Sequence, residues 1–214
     1  MSILKIIEYG NPVLRQTSKE VFKVSKKIKT LITDLLDTMY SANGVGLAAP
    51  QVGENLRIFV IDVSDPKGPI DPMVFVNPKI IKKSGAVNSY EGCLSFPKAY
   101  TNVRRYSNVT VKALDINGRP FIKEARDGEL LARAIQHEFD HLDGKLFIDH
   151  CRNRFDANNV LAKYNLPPIE EDKLINEDEL EKEIVEYEKS HPEETEKLRK
   201  EIEDLEKSND GKQD

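Results

Sequence analysis

The chain has few of the residues on which disulfide-stabilised and membrane proteins depend. Its 214 residues include two cysteines, four histidines and no tryptophan. Two cysteines provide no disulfide framework, which is typical of a protein from a reducing compartment. No apolar run approaches the roughly 20 residues of a membrane-spanning helix, and charged residues follow the N-terminus too soon for a signal peptide. We therefore expect a soluble, cytoplasmic protein that binds neither membranes nor DNA directly.

Acidic and basic residues are unevenly distributed along the chain, whose formal net charge is -5. Residues 170–214 contain 19 Asp and Glu against 8 Lys and Arg, a net of -11, and the other residues contain 18 against 24, a net of +6. We therefore predict one folded domain over residues 1–168 and an acidic C-terminal extension over residues 169–214. Apolar spacings of three and four favour helices in the extension, whereas its high charge favours partial disorder.

The most informative segment, residues 136–144, contains an H-E-x-x-H motif. On an α-helix His137 and His141 lie one turn apart, about 6 Å along the axis, so both can bind one cation. Glu138 is placed to take a proton from a water that this cation activates. Two histidines and a glutamate can also form a plain surface or core cluster. Against that alternative, the chain has only four histidines, and apolar residues precede the motif at positions 130, 131, 134 and 135.

A catalytic zinc-type site needs a third protein ligand besides His137 and His141. The extended zinc-protease signature fails here, because its last ligand position is occupied by Phe147. The first downstream glutamates, Glu170 and Glu171, open the acidic segment, which is a poor place for a fixed ligand. Upstream, Cys93 follows a glycine that lets the backbone approach closely, which makes it the better candidate.

Three separated blocks carry a resemblance to a known family: GVGLAAPQ at 44–51, EGCLS at 91–95 and QHEFDHL at 136–142. With the opening GNPVLR at 10–15, they make the chain similar to bacterial-type peptide deformylases from about residue 6 to about residue 163. The resemblance implies a metallohydrolase that removes the formyl group from the N-terminal formyl-methionine of new polypeptides and releases formate. Domain 1–168 would then be catalytic.

The resemblance also implies roles for individual residues. Cys93, His137 and His141 would hold one divalent metal ion, Fe²⁺ in the cell and Zn²⁺, Ni²⁺ or Co²⁺ in some purified samples. Glu138 would act as base and then as acid, while the Gln51 side-chain amide and the Leu94 backbone N–H would stabilise the developing oxyanion. The substrate would be bound by Val45, Gly46, Leu130 and Ala134.

Two positions depart from the family pattern. Tyr100 stands where the family commonly has an arginine that contacts substrate, and Arg133 stands at a usually apolar position near the methionine pocket. We therefore expect altered contacts to longer peptides and a more polar pocket rim. Glu91 and Arg105 match a pair that braces the ligand loop. No chemical role is expected for His150.

Hydrophobic patterns predict an α+β fold. Apolar residues spaced as on a helix occupy positions 28–39, and strands are predicted over 57–63, 74–77, 109–115 and 121–124. Because strands precede the ligand helix, we expect mixed or antiparallel sheets wrapped around a central metal-binding helix, followed by a C-terminal helical extension.

Two alternatives to a deformylase follow from the same residues. One is a zinc-dependent peptidase or amidase with an H-E-x-x-H helix. The other is a closed structural zinc site in which Cys151 is the fourth ligand. We expect formyl-methionyl peptides to bind as substrate. Because the residues outside 170–214 have a net positive charge, we also expect the ribosome as a partner, near the nascent-chain exit.

Overall fold

Seven strands and three α-helices make up the residues that the computed structural model describes, 2–169 and 173–175. The helices are α1 (Lys26–Ser41), α2 (Leu130–Leu142) and α3 (Arg154–Lys163). The strands are β1 (Gly46–Ala48), β2 (Ile58–Ile61), β3 (Met73–Ser84), β4 (Val87–Cys93), β5 (Phe96–Arg105), β6 (Asn108–Leu114) and β7 (Pro120–Ala125). Short 3₁₀ turns cover Pro12–Arg15, Ala49–Val52 and Phe147–His150.

The strands form two antiparallel sheets. Five strands pair in the order β1-β2-β3-β6-β7, and β4 pairs with β5 in a separate hairpin. Strand β2 is buried on both faces: Phe59 and Ile61 belong to a cluster with α2, whereas Ile58 and Val60 belong to a cluster with α1. The large sheet therefore lies between the two helices, as the period-two alternation of strand side chains requires.

Helix α2 is fixed against the strands by a buried amide. The Gln136 side chain accepts from the Tyr106 backbone N–H at 2.9 Å and donates to the Tyr106 carbonyl at 2.9 Å. At the other end, Gly144 (φ +69) follows the last turn, and an added Cβ there would lie 2.5 Å from the carbonyl oxygen of Arg15. Glycine is thus required both for the left-handed backbone and for the close contact.

The β4–β5 hairpin packs on the C-terminal elements. Phe96, Ala99 and Val103 of β5 share an apolar cluster with Phe147 and Leu161. The ring centroids of Phe96 and Phe147 lie 5.0 Å apart at a right angle. This cluster holds the hairpin in place beside α2.

The predicted α+β class with sheets around the ligand helix is confirmed, and the pairings between strands are all antiparallel in the described region. The helix predicted at 28–39 is α1, and the four predicted strands fall on β2, β3, β6 and β7. Strands β1, β4 and β5 and helix α3 were not predicted. The predicted helices of the extension lie outside the described residues.

Residues Met1–Ile175 group into one compact unit. Past Pro168, Ile169 is buried and its backbone N–H donates to the Asn158 side chain at 2.9 Å. The division at residue 168 stays a prediction. No helix in the described part of the chain combines the length and apolarity needed to cross a membrane.

Candidate metal centre

Three side chains from two distant segments meet at one point. Cys93 ends β4, and His137 and His141 lie on successive turns of α2. Their ligand atoms all lie within 4.8 Å of one another, and Cys93 Sγ is 3.3 Å from His141 Nε2. Among the described residues, this is the group of His, Cys and carboxylate side chains that could hold a metal ion.

Cys93 reaches the helix because the hairpin is irregular at this point. The strand register shifts between Gly92 and Cys93, so Gly92 pairs with Tyr100 whereas Cys93 pairs with Phe96. An added Cβ on Gly92 would lie 2.3 Å from the ring of Tyr100. Gly92 is therefore needed where the hairpin turns its cysteine towards α2.

The donors fit a divalent metal ion of the zinc or iron type. One thiolate and two imidazoles are the ligands that such ions take in proteins, and a fourth position is left for water or substrate. His137 Nδ1 lies 3.0 Å from Glu91 Oε2, which leaves its Nε2 for a ligand bond. Burial holds the pKa of His141 well below its ordinary value, so this ring is neutral, as a ligand must be.

A buried ionic network contacts the candidate ligand His137. Arg105 donates two hydrogen bonds to Glu91, at 3.0 and 2.9 Å, and a third to Asp140 at 2.5 Å. Burial alone would raise the pKa of Glu91, but the charge of Arg105 and the hydrogen bond with His137 hold it well below its usual range. Glu91 is thus an anion that accepts from His137 and fixes the orientation of that ring.

Asp140 and His150 also belong to this network, although the sequence did not single them out. His150 Nε2 lies 2.8 Å from Asp140 Oδ2. Burial would raise the pKa of Asp140, yet the charges of His150 and Arg105 hold it well below its usual range. The sequence signal that could have found Asp140 was its position directly before His141, but an aspartate on a helix can equally face solvent.

Glu138 packs directly against the glycine loop of residues 43–46. Its side chain is buried, and an added Cβ on Gly46 would lie 2.4 Å from Glu138 Oε1. Burial raises the pKa of Glu138 to about 7. A carboxyl group with this pKa can both accept and return a proton near neutral pH.

Gln51 is held with its amide N–H₂ towards Cys93. Its Oε1 accepts from the Ala48 backbone N–H at 2.8 Å, so Nε2 points to Cys93 Sγ at 3.4 Å and Ser95 Oγ at 3.2 Å. Leu94 follows Cys93 in the turn between β4 and β5. Its side chain contacts the glycine loop, where an added Cβ on Gly44 would lie 2.7 Å from Leu94 Cδ1.

The predicted substrate residues lie on two neighbouring segments. Val45 is 44% exposed in the glycine loop, Leu130 is 42% exposed at the start of α2, and Ala134 is buried one turn later on the same helix face. Arg133 binds inside the protein: its Nε donates to the Gly128 carbonyl at 3.2 Å and its Nη1 to Ser89 Oγ at 3.1 Å.

Tyr100 and Cys151 are the two remaining residues for which the sequence raised an expectation. Tyr100 is 55% exposed and stacks on Tyr90 with ring centroids 5.9 Å apart. Cys151 Sγ lies 3.8 Å from Thr101 Oγ1 in the apolar cluster of the hairpin and is not part of the ligand group among the described residues. A closed site with Cys151 as fourth ligand is therefore not supported.

The chain is similar to known proteins of one family. The family model described as polypeptide deformylase matches residues 3–156. The chain is 49% identical over 150 residues to the peptide deformylase of Endomicrobium trichonymphae, which covers 70% of this chain and 87% of that protein. The crystal structure of a peptide deformylase from Legionella pneumophila is 44% identical with a TM-score of 0.70, over 77% of this chain and 96% of that one.

A second solved structure, the peptide deformylase from Synechococcus elongatus in complex with actinonin, is 42% identical with a TM-score of 0.69. It covers 78% of this chain and 91% of that one. With the family model matching well over half of its residues, the chain belongs to the polypeptide deformylase family.

Proposed function

We propose that this protein is a metal-dependent hydrolase that removes the formyl group from the N-terminal formyl-methionine of new polypeptides and releases formate. The observation that carries the proposal is the convergence of Cys93, His137 and His141 within 4.8 Å beside the buried carboxyl group of Glu138. Family membership supports the same reaction and disfavours a zinc peptidase.

Cys93, His137 and His141 would hold the metal ion. A divalent ion bound there supplies a Lewis acid for the formyl carbonyl and acidifies an attacking water. The thiolate among its ligands suits a soft or borderline cation. We propose Fe²⁺ in the cell, with Zn²⁺, Ni²⁺ or Co²⁺ as substitutes in purified protein.

Glu138 moves the proton in this scheme. Its carboxylate accepts a proton from the attacking water at Oε1 or Oε2 and then returns it to the departing amine nitrogen. A nearby cation favours the ionised form of Glu138, which offsets the effect of burial on its pKa. Gly46 leaves room for this carboxyl group beside the loop, because a larger residue would collide with it.

Gln51 and Leu94 stabilise the charge that develops on the formyl oxygen. The Gln51 amide is preorganised, since its Oε1 is already bound to Ala48 and only its Nε2 donors face the ligand cluster. The Leu94 backbone N–H follows Cys93 directly and supplies the second donor. Preorganised donors of this kind act without any reorganisation during the reaction.

The methionine side chain of the substrate would lie between the glycine loop and the first turns of α2. Val45 and Leu130 offer exposed apolar surface there, and Ala134 provides a small buried floor. Gly46 would present its backbone to the peptide.

The reaction is tested by formate release from formyl-Met-Ala-Ser with anaerobically purified protein. Acetyl-Met-Ala-Ser is the matched control substrate, and casein tests the peptidase alternative. We expect formate from the first peptide and little or no turnover of the other two. Casein cleavage without formate release would contradict the proposal.

We also propose that the protein works in the cytoplasm near the ribosomal exit for nascent chains. The net charge of +6 outside residues 170–214 favours an anionic RNA surface, and the net charge of -11 in that segment opposes it. Ribosome co-sedimentation across a salt series tests this with full-length protein and with protein that lacks residues 176–214, which contain 16 Asp and Glu against 7 Lys and Arg, a net of -9. Loss of the segment should strengthen binding at low salt, and equal binding of both forms at every salt concentration would contradict it.

A further inference from the structure

We propose that His150 is a positioning residue of the metal centre, acting on the ligand His137 through a chain of buried contacts. This inference rests on the proposed metal site and assigns His150 a role that its sequence position did not suggest. The chain of contacts runs from His150 to Asp140, then to Arg105, then to Glu91 and finally to His137.

Each step in the chain is a short contact between polar groups. His150 Nε2 lies 2.8 Å and Arg105 Nη1 2.5 Å from the same oxygen, Asp140 Oδ2. Arg105 then binds both oxygens of Glu91, and Glu91 Oε2 lies 3.0 Å from His137 Nδ1. Side-chain exposure is 10% for His150, 14% for Asp140 and 2% for Arg105, so water has limited access to these bonds.

Arg105 is shared between two carboxylates, and His150 supports one of them. Asp140 and Glu91 both draw on one guanidinium, since Arg105 lies between them. His150 supplies a second donor to Asp140, so that Arg105 can keep its bidentate bond to Glu91. Without that donor, Asp140 would depend on Arg105 alone, and Arg105 would be drawn towards it and away from Glu91.

The segment that carries His150 also touches the ligand by a second route. His150 ends the 3₁₀ turn Phe147–His150, and the ring centroid of Phe147 lies 5.9 Å from that of His137. Asp149 of the same turn is anchored by Arg15 at 2.5 Å. The turn is therefore a fixed support behind His137, and His150 donates from its Nε2–H whether the ring is neutral or charged.

The test measures metal affinity, because loss of an ion pair with a purely structural role would lower stability without changing metal affinity. His150→Leu removes the donor with little change in size, whereas His150→Gln keeps an N–H donor at a similar reach. The matched control is Arg57→Gln, which breaks a 2.7 Å ion pair with Asp143 at the C-terminal end of α2, outside the chain of contacts. Full-length variants would be compared for Zn²⁺ binding by chelator competition and for the absorption spectrum of the Co²⁺ form.

We expect His150→Leu to raise the Zn²⁺ dissociation constant about tenfold, the lower end of the effect of groups that orient metal ligands. His150→Gln should recover most of this affinity, and the Leu variant alone should shift the Co²⁺ spectrum. Arg57→Gln should lower thermal stability with unchanged metal affinity. Wild-type affinity and spectrum in His150→Leu, or equal losses in His150→Leu and Arg57→Gln, would overturn the inference.

Failure of the proposed function gives a different result. Wild-type protein that binds one Zn²⁺ ion through Cys93, His137 and His141, but releases no formate when purified anaerobically, would refute the deformylase activity and leave the role of His150 standing. Deformylase activity with unchanged metal binding in His150→Leu would refute the positioning role alone. The two measurements are therefore independent.

Discussion

Gly46 and Glu138 are packed so closely that the glycine has no room for a side chain. A Cβ atom at Gly46 would stand 2.4 Å from Oε1 and 2.9 Å from the carboxyl carbon of Glu138. The backbone of the glycine loop therefore packs against one side of the Glu138 carboxyl group, the proposed proton-transfer group. This contact explains why residue 46 is a glycine, which the presence of a turn alone would not.

Gly46→Ala should therefore displace Glu138 and lower kcat by about 10²-fold, within the range that positioned general bases contribute. The metal content should stay at the wild-type value, because the ligands are not touched. Gly68→Ala is the matched control, since a Cβ there meets only ordinary contacts, the nearest at 3.4 Å. Steady-state formate release checks both variants, and a Gly46→Ala enzyme with wild-type kcat would contradict the role of the contact.

Gln51→Leu should remove the side-chain donor to the developing oxyanion and lower kcat about 10²- to 10³-fold. The Ala48 backbone N–H also loses its acceptor, so a modest loss of thermal stability is expected. Metal content, kcat and the melting temperature separate these effects. Unchanged kcat in a folded, metal-loaded variant would show that Gln51 is not a donor in the reaction.

Cys151 should be chemically quiet. Burial raises the pKa of its thiol to about 11, so the thiolate that reacts with alkylating agents is scarce near neutral pH. We expect Cys151→Ser to keep wild-type metal content and formate release, whereas Cys93→Ser should lose metal. Thiol labelling of metal-free protein, read by mass spectrometry, should modify Cys93 first. Loss of both metal and fold in Cys151→Ser would instead support a closed four-ligand site.

The glycine loop should depend on a hydrogen bond at its back. Tyr40 donates to Asp62 at 2.6 Å, and the Asp62 backbone N–H donates to the Val45 carbonyl at 2.9 Å. Tyr40→Phe should lower the free energy of unfolding by about 1 kcal/mol and raise KM more than it lowers kcat. Denaturant unfolding and steady-state kinetics measure the two effects.

This loss should also depend on pH. Burial raises the pKa of Asp62, but hydrogen bonds from Ser64 and Tyr40 lower it further, so that the net pKa is lowered. A lowered pKa in the folded state stabilises the protein above the ordinary aspartate pKa of about 4, and this contribution is lost as the pH falls through the folded value. The stability difference between wild type and Tyr40→Phe should therefore shrink below about pH 4. A constant difference from pH 7 to pH 3 would contradict the pairing.

The ligand helix was predictable because its pattern is local. His137 and His141 lie one turn apart, and apolar residues mark its buried face, as found in α2. Cys93 was a candidate on the residues alone, and the family resemblance implied its role as a ligand. Its contact with His141 depends on the β4–β5 hairpin, which no local sequence pattern predicted.

Strand β4 of the hairpin was missed because its inward positions are polar. Ser89 and Glu91 point inward from β4 and are buried, so the strand shows no apolar alternation. Their burial is compensated by Arg133 and Arg105, residues distant in sequence. Helix α3 was missed for a related reason: only Ala157 and Leu161 of its residues are buried. Such elements are specified by tertiary contacts, which single-sequence patterns do not contain.

The most direct test of the metal centre and its base is Glu138→Gln, measured for metal content and formate release on the same anaerobic sample. The amide is nearly isosteric with the carboxyl group, so Cys93, His137 and His141 should still bind one equivalent of metal. We predict that turnover of formyl-Met-Ala-Ser falls by at least about 10²-fold, because the amide cannot accept the proton. Full turnover in the metal-loaded variant would contradict the account.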